Sequence, residues 1–249
     1  MIGIYDSGLG GLTALSEARA IMPDTDFIYF GDTAHLPYGT RSESAIIRYA
    51  REALSFLGDK GVDAVLCACG TVSSVALDEV KNEYPFAVMG VVEPAARAAV
   101  MASKNQKIAV SGTSATVKSD IFKRKISELS PNAEVISVGC DLFVSIVENG
   151  FANDMPIATE AAKRYLSGLS DCDTLILGCT HFPLLSEAIR RVLPQITLIS
   201  SGKEGARSLV KYEKKETGKT EFYLSDTGGS FASMAKVFLG YGISPIKKL

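Results

Sequence analysis

Nine short apolar runs alternate with helical patterns along the whole chain of 249 residues, and this alternation constrains the fold most strongly. The runs cover residues 2–5, 27–31, 62–68, 86–92, 107–112, 133–138, 173–178, 196–200 and 221–225. Most of them are continuous rather than alternating, which is typical of strands that are covered on both faces. Strands that alternate with helices indicate parallel sheets with helices on both sides. The sequence therefore predicts an α/β fold, with nine strands in one sheet or in two smaller ones.

The clearest helical pattern runs from Glu43 to about Gly58. Apolar side chains recur there at helical spacing, at positions 46, 47, 50, 53, 54 and 57. Ser42 can cap the first turn, and the glycines at 58 and 61 mark the end. These features predict one helix over this segment.

Two segments share one layout, which suggests two related halves. The segments AVLCACGTVSSVALDEV, around Cys69, and DTLILGCTHFPLLSEAI, around Cys179, each place a strand before a cysteine, a threonine and a helix. Open α/β sheets bind ligands at the carboxyl ends of their strands. We therefore expect two α/β halves, each of which presents one thiol at the end of a strand.

Composition narrows the classes of protein that remain. A hydrophobic content of 47% excludes disorder, and a formal charge of -2 disfavours a nucleic-acid partner. No apolar run approaches the roughly 18 residues of a membrane span, and the N-terminal residues MIGIYDSG lack a leader pattern. We expect a cytoplasmic protein without a membrane partner, whose five cysteines are thiols.

Two of these thiols are candidates for chemistry. Cys69 and Cys179 each precede a predicted helix start, and a helix N-terminus is expected to lower a thiol pKa by one to two units from about 8.5. The alternative is that each is a small buried hydrophobe. The matched placement favours chemistry, whereas Cys67, Cys140 and Cys172 are expected to pack in the core.

Polar residues near the predicted strand ends add further candidates. His181 can exchange a proton with Cys179, or it can be a structural histidine in a loop. Asp6 and Ser7 follow the first strand, where they can act as an acid/base partner and a carboxylate binder, or only shape the turn. The other histidine, His35, has no assigned role.

Two loops resemble ligand-binding segments. In GDTAHLPYG (31–39), Pro37 and Gly39 restrict the backbone, and Tyr38 can present its hydroxyl to a ligand or anchor a surface turn. In GTSAT (112–116), Thr113 and Thr116 can bind an anion at a helix start.

Three other chemistries fit the sequence less well. The glycines of GLGGLT (8–13), with Asp32 downstream, resemble a dinucleotide loop, but the third glycine position is Thr13. The spacings C-x-C and C-x-H are not those of common zinc sites, although a metal site would have these four residues available: Cys67, Cys69, Cys179 and His181. Neither a C-x-x-C motif nor a phosphate-binding P-loop is present.

The chain resembles the glutamate racemases, cofactor-independent members of the aspartate/glutamate racemase superfamily, over nearly its whole length. The resemblance is carried by YDSGLGGLTAL (5–15), IYFGDTAHLPYGTRS (28–42), ACGTVSSVAL (68–77), GVVEPAARAAV (90–100), SGTSAT (111–116), LFVSIVENG (142–150), LILGCTHFPLL (175–185) and FYLSD (222–226). It implies two pseudo-symmetric Rossmann-like domains with mainly parallel sheets, which face each other across a cleft. Residues 1–96 plus 208–249 would form the first domain, with Cys69, and residues 97–207 the second, with Cys179.

The resemblance also implies an activity: interconversion of L- and D-glutamate for bacterial peptidoglycan, without pyridoxal phosphate, other cofactor or metal. Cys69 and Cys179 would act as acid and base on opposite faces of the substrate, with His181 assisting Cys179. Asp6 and Glu148 would assist the Cys69 side or lie near the cleft. The implied substrate contacts are Asp6, Ser7, Pro37, Tyr38, Gly39, Cys69, Gly70, Thr71, Thr113, Thr116, Cys179, Thr180 and His181. Because the family often forms dimers, we expect a homodimer.

The chain departs from the family pattern at three positions. Gly70 stands where the family commonly has asparagine, and Asp141 and Ser145 replace two prolines. The first departure removes a side-chain contact to the substrate, and the other two are expected to shift the helix that carries Glu148. Two alternatives remain at this point: a racemase for aspartate or another acidic amino acid, and a non-catalytic two-domain amino-acid-binding protein.

Overall fold

The structure, a computed structural model, describes residues 1–226, 231–239, 242–243 and 246–248. The strands in these residues are β1 (Ile2–Asp6), β2 (Phe27–Gly31), β3 (Ala64–Cys67), β4 (Ala87–Gly90), β5 (Lys107–Gly112), β6 (Glu134–Gly139), β7 (Thr174–Leu177), β8 (Thr197–Ser200), β9 (Thr220–Leu224) and β10 (Ile246–Lys248). The first nine confirm the nine predicted runs. β10 was not predicted, because two of its three residues are exposed lysines and leave no apolar pattern.

The strands form two sheets rather than one. Within the described residues, the first sheet has the order β10-β9-β2-β1-β3-β4 and the second the order β6-β5-β7-β8. All of the strand pairs in both sheets are parallel. The predicted α/β class with mainly parallel sheets is therefore confirmed.

Helices connect the strands throughout this part of the chain. They are α1 (Leu12–Ile21), α2 (Glu43–Asp59), α3 (Gly70–Val75), α4 (Leu77–Val80), α5 (Val92–Ala102), α6 (Ser114–Lys118), α7 (Ile121–Leu129), α8 (Asp141–Glu148), α9 (Met155–Leu166), α10 (Ser186–Val192), α11 (Ser201–Ser208) and α12 (Phe231–Leu239). Short 3-10 helices cover Thr33–His35, Tyr38–Thr40, Phe151–Asn153, Ser167–Leu169, Phe182–Leu185 and Val210–Tyr212. No described helix is long and apolar enough to cross a membrane.

Helix α2 confirms the clearest sequence pattern and ends one residue beyond the expected end. Its cap is the predicted one, since the Ser42 hydroxyl accepts a hydrogen bond from the Ala45 N–H at 3.3 Å. The buried face differs at one place: Ile47 is only partly buried, whereas Tyr49 is buried. Tyr49 is covered by His35, which stacks on its ring.

The chain crosses from the first sheet to the second and then returns. β1–β4 lie in the first sheet, β5–β8 in the second, and β9 and β10 complete the first. This order agrees with a discontinuous first domain. The boundaries at 96/97 and 207/208 fall inside α5 and α11 and remain a prediction. Residues 227–230, 240–241, 244–245 and 249 of the predicted first domain lie outside the described residues.

One hydrophobic cluster joins the two halves. It connects Ile4 and Leu15 of the first half with Phe143 and Phe182 of the second, and all four side chains are fully buried. The rings of Phe143 and Phe182 meet edge to face, with centroids 5.1 Å apart. Because interiors are close-packed, this shared core holds the carboxyl ends of both sheets in a defined relation.

Candidate active site

A cavity of about 940 Å³ lies where the carboxyl ends of the two sheets meet. Its wall is built by the segments that follow β1, β2 and β3 in the first half and β5, β6 and β7 in the second. Thirteen of the predicted site residues line it: Ser7, Pro37, Tyr38, Gly39, Cys69, Gly70, Thr71, Thr113, Thr116, Glu148, Cys179, Thr180 and His181. The sequence motifs therefore converge on one site, as expected for the strand ends of open α/β sheets.

The cysteines divide into two groups. Cys69, between β3 and α3, and Cys179, directly after Gly178 at the end of β7, lie on the cavity wall and are 7% and 8% exposed. The other three are buried in the hydrophobic clusters and do not line the cavity: Cys67, Cys140 and Cys172. All five are free thiols. Each half thus contributes one thiol to the cavity.

Cys69 is held as a neutral thiol. Burial raises the pKa of this thiol to about 12, and the negative charge of Asp6 adds to that effect. The Ser7 hydroxyl, whose oxygen lies 3.3 Å from Cys69 Sγ, opposes it only in part. The expectation of a lowered pKa is therefore wrong for Cys69, because desolvation outweighs the short helix α3. At neutral pH this sulfur carries a proton that it can donate.

Cys179 lies at the end of a hydrogen-bonded chain. His181 Nδ1 is 3.7 Å from Cys179 Sγ, and His181 Nε2 is 3.1 Å from Glu148 Oε1. Burial lowers the pKa of His181, but the hydrogen bonds to Cys179 and Glu148 outweigh it and raise this pKa to about 10. His181 is consequently an imidazolium at neutral pH, and it can donate one N–H to the sulfur and the other to the carboxylate.

Glu148 belongs to the second half of the site. It is the last residue of α8 and is hydrogen-bonded to His181, so it lies on the Cys179 side of the site rather than on the Cys69 side. Asp141, one of the residues in place of a family proline, ties α8 to α6, since it accepts a hydrogen bond from the Ser114 N–H at 2.9 Å. The first turn of α8 is thus fixed by a side chain where a proline would have restricted the backbone.

Asp6 is the one predicted residue that does not line the wall. It is 1% exposed at the end of β1, and Oδ2 accepts a hydrogen bond from the Gly8 N–H at 2.9 Å. Its other oxygen, Oδ1, has no hydrogen-bond partner among the described residues. Burial raises the pKa of Asp6, while the positive charge of His181 opposes that rise. Because Oδ1 is buried and Asp6 does not line the wall, this oxygen is not open to the cavity.

Hydroxyl groups bridge the two halves at the cavity. Thr71 Oγ1, from the first half, lies 3.2 Å from Thr113 Oγ1 of the second, and Thr113 Oγ1 lies 3.1 Å from Thr116 Oγ1. Helix α6 has only five residues, so its dipole is weak. The hydroxyl groups are therefore the better candidates to bind an anion here. On the other side of the site, Thr13 Oγ1 donates to the Thr180 carbonyl at 3.0 Å.

Tyr38 anchors its loop instead of offering its hydroxyl to a ligand. The hydroxyl donates to Asp32 Oδ2 and lies 2.9 Å from the Tyr5 hydroxyl. Burial is the main cause that raises the pKa of Tyr38 far above its ordinary value. These contacts favour the anchoring alternative for the hydroxyl, while Tyr38 still lines the cavity beside Pro37 and Gly39.

The residue considered for a dinucleotide ribose, Asp32, serves the same loop. His35 Nδ1 lies 2.9 Å from both oxygens of Asp32, and the imidazole stacks on Tyr49 with ring centroids 4.0 Å apart. His35, which has no role assigned from the sequence, thus positions the Asp32 carboxylate that accepts the hydrogen bond from Tyr38. The glycine-rich segment 8–13, considered above as a dinucleotide loop, has a steric role instead. A Cβ on Gly10 would lie 2.1 Å from Thr180 Oγ1, so the absence of a side chain at Gly10 lets the two halves approach each other.

The zinc site considered from the sequence is not formed. Of the side chains that the structure describes, no group of three His, Cys, Asp or Glu residues is arranged to hold a metal ion. Cys67, one of the four candidates, points into the apolar cluster behind β3.

The structure adds wall residues that the sequence analysis missed. They are Leu36, Thr40, Arg41, Ser114, Ala115, Lys118, Asp141, Val144, Ser145 and Gly178. Gly178 directly follows β7, and Asp141 is the second residue after β6. A search for site residues after the end of every strand would have found both. Lys118 lies one turn beyond Ser114 in α6. Its position on the wall could be predicted only once the bounds of that helix were known.

Comparison with known proteins agrees with this geometry. The family model for Asp/Glu/Hydantoin racemase matches residues 12–209. The glutamate racemase of Aquifex aeolicus is 42% identical over 246 residues, which cover 98% of this chain and 96% of that protein. The crystal structure of the glutamate racemase isoform RacE1 from Bacillus anthracis superposes with a TM-score of 0.94, at 34% identity and covering 100% of this chain and 97% of that chain. Glutamate racemase from Francisella tularensis in complex with D-glutamate gives a TM-score of 0.90, at 33% identity and covering 100% and 96%.

Proposed function

The chain belongs to the Asp/Glu/hydantoin racemase family, and on that premise we propose that it is a cofactor-independent isomerase that interconverts L- and D-glutamate. The observation that carries the proposal is one thiol from each half on the wall of a single cavity. Inversion at Cα without turning the substrate requires two groups, one on each face. The D-glutamate formed is a building block for bacterial peptidoglycan, and neither racemisation of another acidic amino acid nor simple binding is favoured.

The two thiols have different neighbours and take different steps. Cys179, beside the imidazolium of His181, acts as thiolate and takes the α-proton, so its S–H bond forms as the Cα–H bond breaks. The electron pair passes into the substrate carboxylate as an enolate. Cys69, held as a thiol, then delivers its proton to the opposite face of Cα and becomes the thiolate. The other enantiomer follows the same path in reverse, and no cofactor or metal takes part.

Neighbouring groups support each thiol. The Ser7 hydroxyl can donate to the Cys69 thiolate when it forms, because the two atoms are already 3.3 Å apart. The carboxylate of Asp6, next to Ser7 in the chain, lies behind the wall and favours the substrate ammonium through its charge rather than by direct contact. The substrate carboxylates are held by hydroxyl and backbone donors of these wall residues: Gly39, Gly70, Thr71, Thr113, Thr116 and Thr180.

An exchange experiment tests the function. Purified protein is incubated with L-glutamate in deuterated water, and optical rotation and the α-proton signal are followed together. We expect the rotation to decay to zero while deuterium replaces the α-proton, without added cofactor. An amino-acid binder would be stabilised by the ligand but would change neither signal. Faster inversion of aspartate than of glutamate would contradict the assignment.

We further propose that Asp32 holds the substrate loop through Tyr38. Replacing Asp32 with asparagine removes the charge from a buried hydrogen bond, and bonds to charged groups contribute about 1.5–3 kcal/mol. We expect the KM for glutamate to rise about tenfold, because 1.4 kcal/mol corresponds to a factor of ten, and kcat to change much less. Steady-state kinetics in both directions checks this. Asp171→Asn, an exposed site far from the loop, is the matched control. An unchanged KM with a lower kcat would refute the positioning role.

Location and assembly complete the proposal. We place the protein in the cytoplasm, because all five cysteines are buried free thiols. We propose a homodimer, as the family resemblance implies. Exposed apolar side chains on three neighbouring elements support it: Leu142, Phe151 and Ile157. Light scattering should give twice the chain mass of 26.5 kDa.

A further inference from the structure

The two halves approach each other closely at a pair of glycines beside the thiols. Gly70 is the residue after Cys69 and opens α3, and Gly178 is the residue before Cys179. A Cβ built on Gly70 would lie 2.1 Å from the Gly178 carbonyl oxygen. Both partners are backbone, so no flexible side chain can move aside.

Only the absence of a side chain allows this approach. A carbon and a carbonyl oxygen in contact are normally about 3.3–3.6 Å apart, so any residue other than glycine must separate the two backbones by roughly 1 Å. Gly70 does not have a positive φ, so its backbone conformation does not require glycine. The steric requirement at this position therefore comes from the opposite half and not from the local turn.

The same position is where the chain departs from the family pattern of asparagine. An asparagine would add a side-chain contact to the substrate, but in this chain it would collide with the second half. In this chain the position therefore serves the approach of the halves instead of a side-chain contact to the substrate. Thr71, the residue after Gly70, also reaches the second half: its Oγ1 lies 3.2 Å from Thr113 Oγ1.

We propose that Gly70 is a positioning residue: its backbone contact with the Gly178 carbonyl sets how closely the two halves approach and so sets the separation of Cys69 and Cys179. The kinetic consequence rests on the function proposed above. Because proton transfer on both faces of Cα needs both sulfurs in place, a misplacement of 1 Å can cost about 100-fold in rate.

The test compares Gly70→Ala and Gly70→Asn with wild type. We expect kcat for glutamate to fall about 10- to 100-fold in both variants, with KM changing less than about fivefold, since the substrate-binding groups of each half remain. Gly70→Asn restores the residue common in the family, so an effect of improved substrate contact would instead raise kcat/KM. Thermal unfolding of each variant is measured first. The control is Gly168→Ala, because a Cβ there meets nothing within 4 Å.

Two readouts do not depend on the reaction. Iodoacetamide labelling of Cys69 and Cys179 in unliganded protein, followed by peptide mass spectrometry, should be several-fold faster in the Gly70 variants and unchanged in Gly168→Ala. In wild-type crystals with D-glutamate, Gly70 Cα and the Gly178 oxygen should remain in contact. Wild-type kcat and labelling rates in Gly70→Asn, or a gap in the crystals wide enough for a methyl group, would overturn the proposal. Lack of racemisation by the wild type would overturn the proposed function alone.

Discussion

Replacing Cys69 or Cys179 with alanine should reduce racemisation of glutamate by at least about 10²–10⁴-fold, the contribution of a positioned acid or base. Each variant keeps one thiol, so protons can still move on one face of Cα but cannot reach the other. Both sulfurs lie on the wall of the same cavity, and neither has a second thiol beside it on that wall. Polarimetry starting from each enantiomer measures the loss.

Hydrogen exchange separates this mechanism from a general loss of structure. A variant with one remaining thiol should still exchange the α-proton of one enantiomer with deuterated water, without inversion, because that face keeps its base. The Cys69→Ala and Cys179→Ala variants should exchange opposite enantiomers. Exchange of both enantiomers by either variant would show that a single group serves both faces.

Cys172→Ala provides the matched control for the two thiol variants. Cys172 is also a buried free thiol, but it lies in the core rather than on the cavity wall. We expect this variant to racemise glutamate at nearly the wild-type rate. If Cys69→Ala retained as much activity as Cys172→Ala, the two-thiol mechanism would be wrong.

Replacing His181 with glutamine should lower kcat/KM about 100-fold, the typical cost of losing one donor that stabilises a developing charge. The imidazolium lies 3.7 Å from Cys179 Sγ and favours the thiolate that takes the proton. The equilibrium constant between enantiomers is one, so kcat/KM must fall equally in both directions. Steady-state kinetics starting from each enantiomer tests this. A fall of kcat/KM in only one direction would violate the equilibrium constant and would indicate a faulty assay, not a catalytic role of His181.

Glu148→Gln should have a smaller effect than His181→Gln. Its side chain is 37% exposed, so solvent screens the ion pair with His181. We expect less than a tenfold loss in kcat/KM. A larger loss than that of His181→Gln would mean that Glu148 acts on the substrate directly.

The His181 ion pair should also make stability depend on pH. The folded-state pKa of about 10 is raised above the ordinary value of 6.5, so the folded chain binds the proton more tightly. This stabilisation is fully present below pH 6.5 and is lost as pH rises towards 10. Urea unfolding between about pH 6.5 and 7.5, below the pH of about 8.5 at which the thiols of the unfolded chain lose their protons, should show a fall in the free energy of unfolding in wild type. The fall should disappear in His181→Gln but persist in His35→Gln.

Much of the fold could be predicted because it is encoded locally. Each continuous apolar run formed a strand, and Ser42 capped the predicted helix, since strand and cap preferences act over a few residues. β10 escaped prediction because its lysines are held by contacts with β9 rather than by apolar patterning: the Lys247 ammonium donates to Glu221 Oε2 at 2.6 Å.

The candidate site was predictable in its members but less so in their contacts. Strand-end motifs named both thiols and His181, since parallel strands carry such residues to one edge. Tyr38 was assigned to the ligand, yet its hydroxyl bonds Asp32. A side chain at a strand end can turn towards the cavity or towards its own half, and the pattern of residues does not distinguish these directions.

By itself, the sequence determined the α/β class, the pair of candidate cysteines and the family, because ordered motifs and apolar periodicity are properties of neighbouring residues. Only the tertiary structure decided that Cys69 is held as a thiol, that Glu148 serves His181, and that Gly70 lets the halves touch. Desolvation and close approach depend on atoms that distant segments bring together. For that reason the protonation state of Cys69 and the approach of the two halves appear only once the chain is folded.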